Sequence, residues 1–255
     1  MSCLVIPDPA THLTASEFTK GIEGLDRTDR EFHFYNVLTE GHVPSYMRTF
    51  VPVDVTFTSK SGTSHNLRLM VLPDYLTIGI EHNRLRVPLW PTTAQRIADL
   101  WNCILPTPKM VALIWGCAKN RVPPQPWGPP YDASMMSTKR FTAHNGMIEA
   151  KVKSLGMNCA TLTAGHKKDV VITNRLVKNV HNVAIYGWHK LNGQPIQGLY
   201  IGHANTYADY SHGVRLIHKE CLLDGRHASV EDLLTNPDLC HALSNEGVMQ
   251  ILRQP

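Results

Sequence analysis

The chain has 255 residues, of which 43% are hydrophobic and 18% charged, with a formal net charge of +4 at pH 7. This composition excludes a disordered chain and leaves room for one large domain or two small ones. The positive excess is small and scattered, so it does not indicate binding to nucleic acid or to an anionic membrane. The 14 histidines are the unusual feature, and they point to a functional site.

No stretch approaches the roughly 18 apolar residues of a membrane-spanning helix, since the longest apolar run covers only residues 110–117. The first nine residues lack a basic stretch followed by an apolar run, which is the pattern of a signal peptide. We therefore expect a soluble cytoplasmic protein, or a secreted one if the natural chain begins earlier.

The six cysteines are far apart and form no C-x-x-C pair, so a structural zinc site built from paired cysteines is excluded. Free thiols are expected, because a chain of this length needs no disulfide to hold its core.

Residues 1–45 show no clear hydrophobic period and predict an arm with one short helix. Residues 51–90 alternate apolar and polar side chains, which predicts a small antiparallel meander of two hairpins. Its strands are expected at 51–57, 67–72, 75–80 and 85–89.

Three helices are expected next. The first runs from Thr92 or Thr93 to Trp101, the second begins at Thr107, and the third spans 137–155. The remaining chain predicts strands again, at 169–173, 183–188, 196–201 and 214–217, and a last helix begins at Ser229.

This order of elements predicts an α+β fold rather than a doubly wound parallel sheet. It has an N-terminal antiparallel meander, central helices and a C-terminal β-rich segment that carries the site. Residues 1–120 and 134–255 form two regions or one continuous domain. The Pro-rich stretch 121–133 is interpreted as a linker between them, with a substrate-lining loop as the alternative.

The densest group of polar residues lies in the C-terminal region and comprises His189, His203, Asp209, His212 and Arg215. If 183–188 and 196–201 form a hairpin, His189 and His203 leave adjoining strand ends, and the 209–212 loop folds back over them. We therefore expect these side chains to converge at one end of a sheet, where loops commonly carry function.

Two chemistries suit this group. Zinc could be held by His189, His203 and Asp209, leaving one position for an activated water. Alternatively, an Asp-oriented histidine acts as a general base, while another histidine or Arg215 stabilises developing negative charge. The competing interpretation is that these residues only satisfy buried strand ends.

Five neighbouring residues are candidates for substrate binding. Trp188, Tyr207 and Tyr210 would form an aromatic platform for a sugar or peptide. Lys168 and Arg175 flank a predicted strand and either bind a substrate carboxylate or solvate the strand ends.

Cys159 precedes His189 along the chain, and this order is similar to that of papain-like and NlpC/P60-like cysteine peptidases. Cys159 is therefore the alternative nucleophile, although most free cysteines are buried hydrophobic residues.

Gly202-His203, followed by Ser211-His212-Gly213-Val214-Arg215, resembles the signature of the YkuD-like L,D-transpeptidases. The resemblance implies a β-rich catalytic domain that acts on cell-wall peptides, with His203, Ser211, His212 and Arg215 in the site. It covers fewer than twenty residues. Val214 occupies the position of the nucleophilic cysteine, so the family's cysteine transfer mechanism could not operate here.

The sequence thus predicts a hydrolase that cleaves an amide or peptide bond, cell-wall-derived or otherwise, with a His/Asp cluster and with or without zinc. A cysteine peptidase or amidase using Cys159 and His189 is one alternative, and a non-catalytic carbohydrate- or peptide-binding module is another. The chain contains neither G-x-G-x-x-G nor a Walker loop, so no nucleotide cofactor is expected. The expected partner is a small peptide or glycan-like substrate.

Overall fold

The computed structural model describes residues 6–255. Within this range the α-helices are α1 (Ala15–Gly21), α2 (Arg27–Thr39), α3 (Pro91–Leu100), α4 (Pro108–Cys117), α5 (Thr138–Ser154) and α6 (Val230–Thr235). The strands are β1 (Val51–Thr58), β2 (Ser64–Val71), β3 (Thr77–Ile80), β4 (Asn83–Arg86), β5 (Cys103–Ile104), β6 (Asn120–Arg121), β7 (Thr163–Ala164), β8 (Lys168–Val170), β9 (Asn182–His189), β10 (Pro195–Ala204), β11 (His212–Gly213), β12 (Ile217–His218), β13 (Glu220–Leu223) and β14 (Arg226–Ser229). The combination of antiparallel sheets and helices confirms the α+β fold.

Hydroxyl caps start two of the expected helices where the sequence places them. Thr107 accepts a hydrogen bond from the backbone N–H of Met110 at the start of α4, and Ser137 accepts one from Arg140 at the start of α5. The start of α3 differs from the prediction. Pro91 occupies its first turn and Trp90 precedes it without a side-chain cap, so neither Thr92 nor Thr93 is the capping residue.

The N-terminal segment contains two helices instead of the single short one expected. Thr14 and Glu17 form a capping box at the start of α1, and Asp26 accepts hydrogen bonds from two backbone N–H groups at the start of α2. These caps satisfy the free donors of the first turns, so helices form although the apolar period is weak.

The two expected N-terminal hairpins form, but they lie in different sheets rather than in one meander. β1 pairs with β2 in a six-stranded sheet, whereas β3 and β4 form a separate two-stranded sheet. The other edge of β2 is occupied by β12 and β13, which arrive from the far end of the sequence. Residues 1–120 and 134–255 therefore contribute strands to the same sheet.

A four-stranded sheet in the order β10-β9-β8-β11 carries most of the candidate residues. β9 and β10 form the hairpin that Asn192-Gly193 predicts, and Gly193 supplies the positive φ that its turn requires. The prediction of one strand at 214–217 is wrong, because the chain forms two short strands, β11 and β12, that join different sheets.

One continuous apolar core includes residues from Ile6 to Met249 and is built from buried side chains of the sheets and helices.

Candidate functional site

A cleft of about 630 Å³ lies beside the end of β10 and is lined in part by the Pro-rich segment. Aromatic side chains form much of its wall: Trp127, Tyr131, Trp188, Tyr207 and Tyr210. The charged and other polar residues of the lining are Asp132, Lys168, His203, Asp209 and Ser211. The structure thus brings together seven residues that the sequence singles out: Lys168, Trp188, His203, Tyr207, Asp209 and Tyr210, and also Ser211, which the transpeptidase resemblance implies.

Asp209 is fixed in the cleft wall by three hydrogen bonds. Its Oδ1 accepts from the backbone N–H of Ser211 at 2.8 Å and from the Ser211 hydroxyl at 2.5 Å. Its Oδ2 accepts from the Tyr207 hydroxyl at 3.0 Å. Burial alone would raise the pKa of Asp209, but His212, Lys168 and the Ser211 hydrogen bonds outweigh it and hold that pKa well below its usual value. Asp209 is therefore a carboxylate at neutral pH.

His203 lies beside this carboxylate, with its ring stacked on Tyr207 at a centroid distance of 3.9 Å and an interplanar angle of 15°. Its partial burial, assisted by the positive charge of Lys168, lowers the pKa of the imidazole despite the opposing effect of Asp209. No hydrogen bond to its ring nitrogens occurs within residues 6–255. His203 is thus a neutral, half-buried imidazole in the cleft that can accept a proton.

His212 lies behind the cleft wall rather than in it. Its ring is completely buried, 5.6 Å from the ring of Tyr207 and 6.5 Å from that of His203 between centroids. Both of its ring nitrogens are buried without a hydrogen-bond partner among residues 6–255, and burial lowers its pKa to about 4. A neutral imidazole in this position cannot contact a ligand in the cleft unless the wall moves.

His189 does not join the cleft, so the expected five-residue convergence is wrong. In the β9–β10 hairpin, His189 pairs with Pro195 and His203 pairs with Val183, six residues away along β9. Six residues of an extended strand span roughly 20 Å. The antiparallel register thus places the two histidines at opposite ends of the hairpin, and His189 stacks on Trp115 instead, at 5.6 Å between ring centroids.

Arg215 is also placed elsewhere and is fully buried. Its guanidinium donates to the carbonyl oxygens of Leu72, at 2.8 Å, and Thr163, at 2.6 Å, and lies 4.3 Å from the centroid of the Tyr75 ring. With Asp169 and His189 it surrounds a small internal void. These bonds join two chain segments, so Arg215 holds the fold together rather than facing a ligand.

The remaining candidates are separated from the cleft as well. Arg175 is exposed on a short 3-10 turn at Asn174–Lys178 and is not part of the cleft lining. The sulfur of Cys159 accepts a hydrogen bond from Arg84 at 2.8 Å, and Arg84 also pairs with Glu149. Within the described residues no contact joins Cys159 to His189, so the geometry does not assemble the alternative cysteine pair.

The predicted zinc ligands are likewise not assembled. Across residues 6–255, no group of three or more His, Cys, Asp and Glu side chains is arranged to hold a metal ion. The separation of His189 from His203 explains this result for the expected set of His189, His203 and Asp209.

The sequence does not identify as site residues Trp127, Tyr131 and Asp132, which line the cleft, or Lys167, which bonds one of its lining residues. Trp127 belongs to the Pro-rich segment, and its backbone N–H donates to the Tyr210 hydroxyl at 2.8 Å. Lys167 is fully buried and donates from Nζ to the Tyr210 carbonyl oxygen at 2.5 Å, with His144 Nδ1 at 3.3 Å. The Pro-rich composition allowed a substrate-lining loop, but nothing in the local sequence identifies the partners of Lys167.

A larger cleft, of about 760 Å³, lies between α1 and the start of α5. Its charged lining residues are Lys20, Glu23, Arg30 and Lys139, together with several hydroxyl side chains. It has no histidine, cysteine or aspartate, so the smaller aromatic cleft is the better candidate for acid–base chemistry.

Comparisons with protein-family models, with curated proteins and with solved structures found no match. In the part of the chain that the structure describes, no helix is both long enough and apolar enough to cross a bilayer.

Proposed function

We propose that the aromatic cleft is the active site of a hydrolase that cleaves an amide or peptide bond, with His203 as the general base. The observation that carries this proposal is the placement of a neutral imidazole, a fixed carboxylate and a lysine in one cleft with five aromatic side chains. Perturbed titratable groups in a concave, largely aromatic site are a common mark of catalytic centres.

The proposed reaction needs no protein nucleophile. His203 accepts a proton from a water molecule while the water oxygen attacks the carbonyl carbon of the substrate. The carbon–nitrogen bond then breaks, and protonated His203 returns the proton to the leaving amine. The nearby carboxylate of Asp209 stabilises the imidazolium that forms between these steps.

Tyr210 is suited to polarise the carbonyl oxygen. Its hydroxyl oxygen accepts the N–H of Trp127, and its own proton is used by no hydrogen bond within residues 6–255. The buried Lys167 fixes the backbone of the same residue. We therefore assign the stabilisation of the developing negative charge to the Tyr210 hydroxyl. Arg215 does not take this role, because its guanidinium is bonded to the carbonyl oxygens of Leu72 and Thr163.

Peptide and muropeptide mixtures incubated with the purified protein test the proposal, with mass spectrometry detecting products that have gained one water. His203→Gln should lower kcat/KM by about 10²- to 10⁴-fold, the usual contribution of a general base. The matched control is His33→Gln, because His33 is exposed on α2. Turnover that survives His203→Gln unchanged would contradict the assignment.

A non-catalytic binding module is the second candidate, and the five aromatic side chains of the cleft favour it. A module of this kind would bind a peptide or glycan with loss of affinity in Trp127→Ala and would yield no product with any substrate in the same mixtures. The geometry of residues 6–255 supports neither the zinc version nor the cysteine version of the enzyme.

A further inference from the structure

Three charged side chains line the cleft, and they differ in whether they already have hydrogen-bond partners. The Oδ1 of Asp132 accepts a hydrogen bond from the backbone N–H of Ser134 at 2.9 Å. Both oxygens of Asp209 accept hydrogen bonds from Tyr207 and Ser211. The ammonium group of Lys168, by contrast, has no hydrogen-bond or ion-pair partner among residues 6–255. It lies 5.1 Å from the centroid of the Trp188 ring, which belongs to the cleft wall. Among the described residues, the ammonium of Lys168 is therefore the charged group of the lining that is left without a bonded partner and can pair with a ligand.

The fold fixes where this positive charge lies. Lys168 begins β8, where it pairs with Gly187 of β9 on one side and with His212 of β11 on the other. Because β8 is an inner strand, the backbone of Lys168 is held from both edges. His203 lines the same cleft, so a single bound ligand can contact both Lys168 and the proposed base.

Other cations near the cleft are already engaged. Lys167 donates to the Tyr210 carbonyl, and Arg140 lies over the Trp127 ring at 4.2 Å and donates to the Ser134 hydroxyl. Arg175, the other residue that the sequence suggests for carboxylate binding, is exposed on a distant turn.

We infer that the ligand of this cleft carries a carboxylate that pairs with Lys168 while its neighbouring groups pack on Trp188 and Trp127. This inference rests on the proposed function and specifies its substrate class: a small peptide with a free C-terminal carboxylate, or a carboxylated sugar, whose acidic group lies near the bond to be cleaved. A charge-assisted hydrogen bond of a half-buried ammonium to a carboxylate supplies the selectivity for acidic ligands.

Calorimetric titration of the full chain tests the inference with two pairs of probes. N-acetyl-alanyl-alanine is compared with its C-terminal carboxamide, and N-acetylmuramic acid is compared with N-acetylglucosamine. Wild-type protein should bind the acid of at least one pair about tenfold more tightly than the neutral compound. The pair that shows the preference identifies the source of the carboxylate.

Substitutions then assign the preference to one side chain. Lys168→Met should remove it while leaving the affinity for the neutral probe within about twofold, and Lys168→Arg should retain most of it because the charge is kept. Arg175→Met is the matched control and should change neither affinity. Unfolding temperature shows that each variant is folded, and the wild-type comparison needs no variant at all.

Equal affinities of wild-type protein for acid and neutral probes would overturn the inference, as would a preference that persists in Lys168→Met. Lack of binding by all four probes at millimolar concentration would overturn it too. Failure of the proposed function gives a different result: the preference for the acid is present, but no probe or peptide is hydrolysed.

Discussion

Asp209 and Ser211 are joined by two hydrogen bonds to the same carboxylate oxygen, one from the backbone N–H and one from the hydroxyl. This local turn presents Asp209 beside His203 and keeps its charge, although the residue is 95% buried by accessible surface. The carboxylate is therefore both a structural anchor of the 205–211 loop and the source of negative potential in the cleft.

We predict that Asp209→Asn lowers the free energy of unfolding at pH 7 by about 1–3 kcal/mol, since hydrogen bonds to a buried charge are lost. The folded pKa of Asp209 is depressed, so its stabilising effect is full above the unfolded value of about 4 and is lost as pH falls below it. Urea unfolding of both proteins between pH 3 and pH 7 measures this. A difference that stays constant down to pH 3 would contradict the depressed pKa.

Asp169 should show the opposite dependence on pH. Burial raises its pKa to about 7, against the opposing effects of Arg215 and of the hydrogen bond from the Tyr75 hydroxyl at 2.9 Å. Between pH 4 and pH 7 the folded protein therefore holds a proton that the unfolded chain has lost, and stability falls as pH rises. We predict that Asp169→Asn removes this fall, which has a slope on the order of 1 kcal/mol per pH unit. Parallel slopes for the two proteins in this window would show that Asp169 is ionised in the fold.

Local sequence predicted the part of the site that is local in the chain. His203, Tyr207, Asp209 and Tyr210 lie within eight positions, so one strand end and one turn are enough to place them together. His189 was misplaced because the register of the β9–β10 hairpin sends it to the other end. The turn signal at Asn192-Gly193 predicts that β9 and β10 pair. It does not predict that His189 lies next to the turn while His203 lies at the other end of the hairpin.

Contacts between distant segments could not be predicted at all. Arg215 has a local setting like that of a site residue, and only its bonds to Leu72 and Thr163 reveal its structural role. Trp127 reaches the cleft through Tyr210, 83 positions along the chain. The strands that join β2 to the C-terminal region likewise carry no mark of their partners.

Lys167 should make the stability of the protein depend on pH between pH 7 and about 10. Burial lowers its pKa to about 7, while its Nζ bonds the Tyr210 carbonyl oxygen. Between pH 7 and about 10 the unfolded chain binds a proton that the folded protein does not, so wild-type stability rises with pH in this window. Lys167→Met should lack this rise and should be less stable by about 1–3 kcal/mol at pH 9, because the buried Tyr210 carbonyl loses its donor. Thermal unfolding of both proteins at pH 7, 8 and 9 distinguishes this from a lysine that stays charged, for which the two curves would remain parallel.

Two buried histidines form a matched pair for testing how hydrogen bonding determines their contribution to stability. His212 and His166 are both completely buried, but His166 Nε2 bonds Asp74 at 3.1 Å, whereas neither ring nitrogen of His212 has a partner in the part of the chain that the structure describes. An unsatisfied buried polar group costs free energy, and replacing it with an apolar side chain of similar size removes that cost.

We therefore predict that His212→Leu changes the free energy of unfolding at pH 7 by less than about 1 kcal/mol, or increases it, whereas His166→Leu lowers it by about 2–4 kcal/mol. The larger loss follows because the buried Asp74, which also pairs with Arg86 in the interior, loses the hydrogen bond of His166 to its Oδ1 and keeps at that oxygen the one from the backbone N–H of Tyr75. Urea unfolding of the two variants under identical conditions gives the comparison. An equal loss in both would mean that His212 is hydrogen-bonded in solution, through a buried water or a moved side chain, and would contradict the prediction.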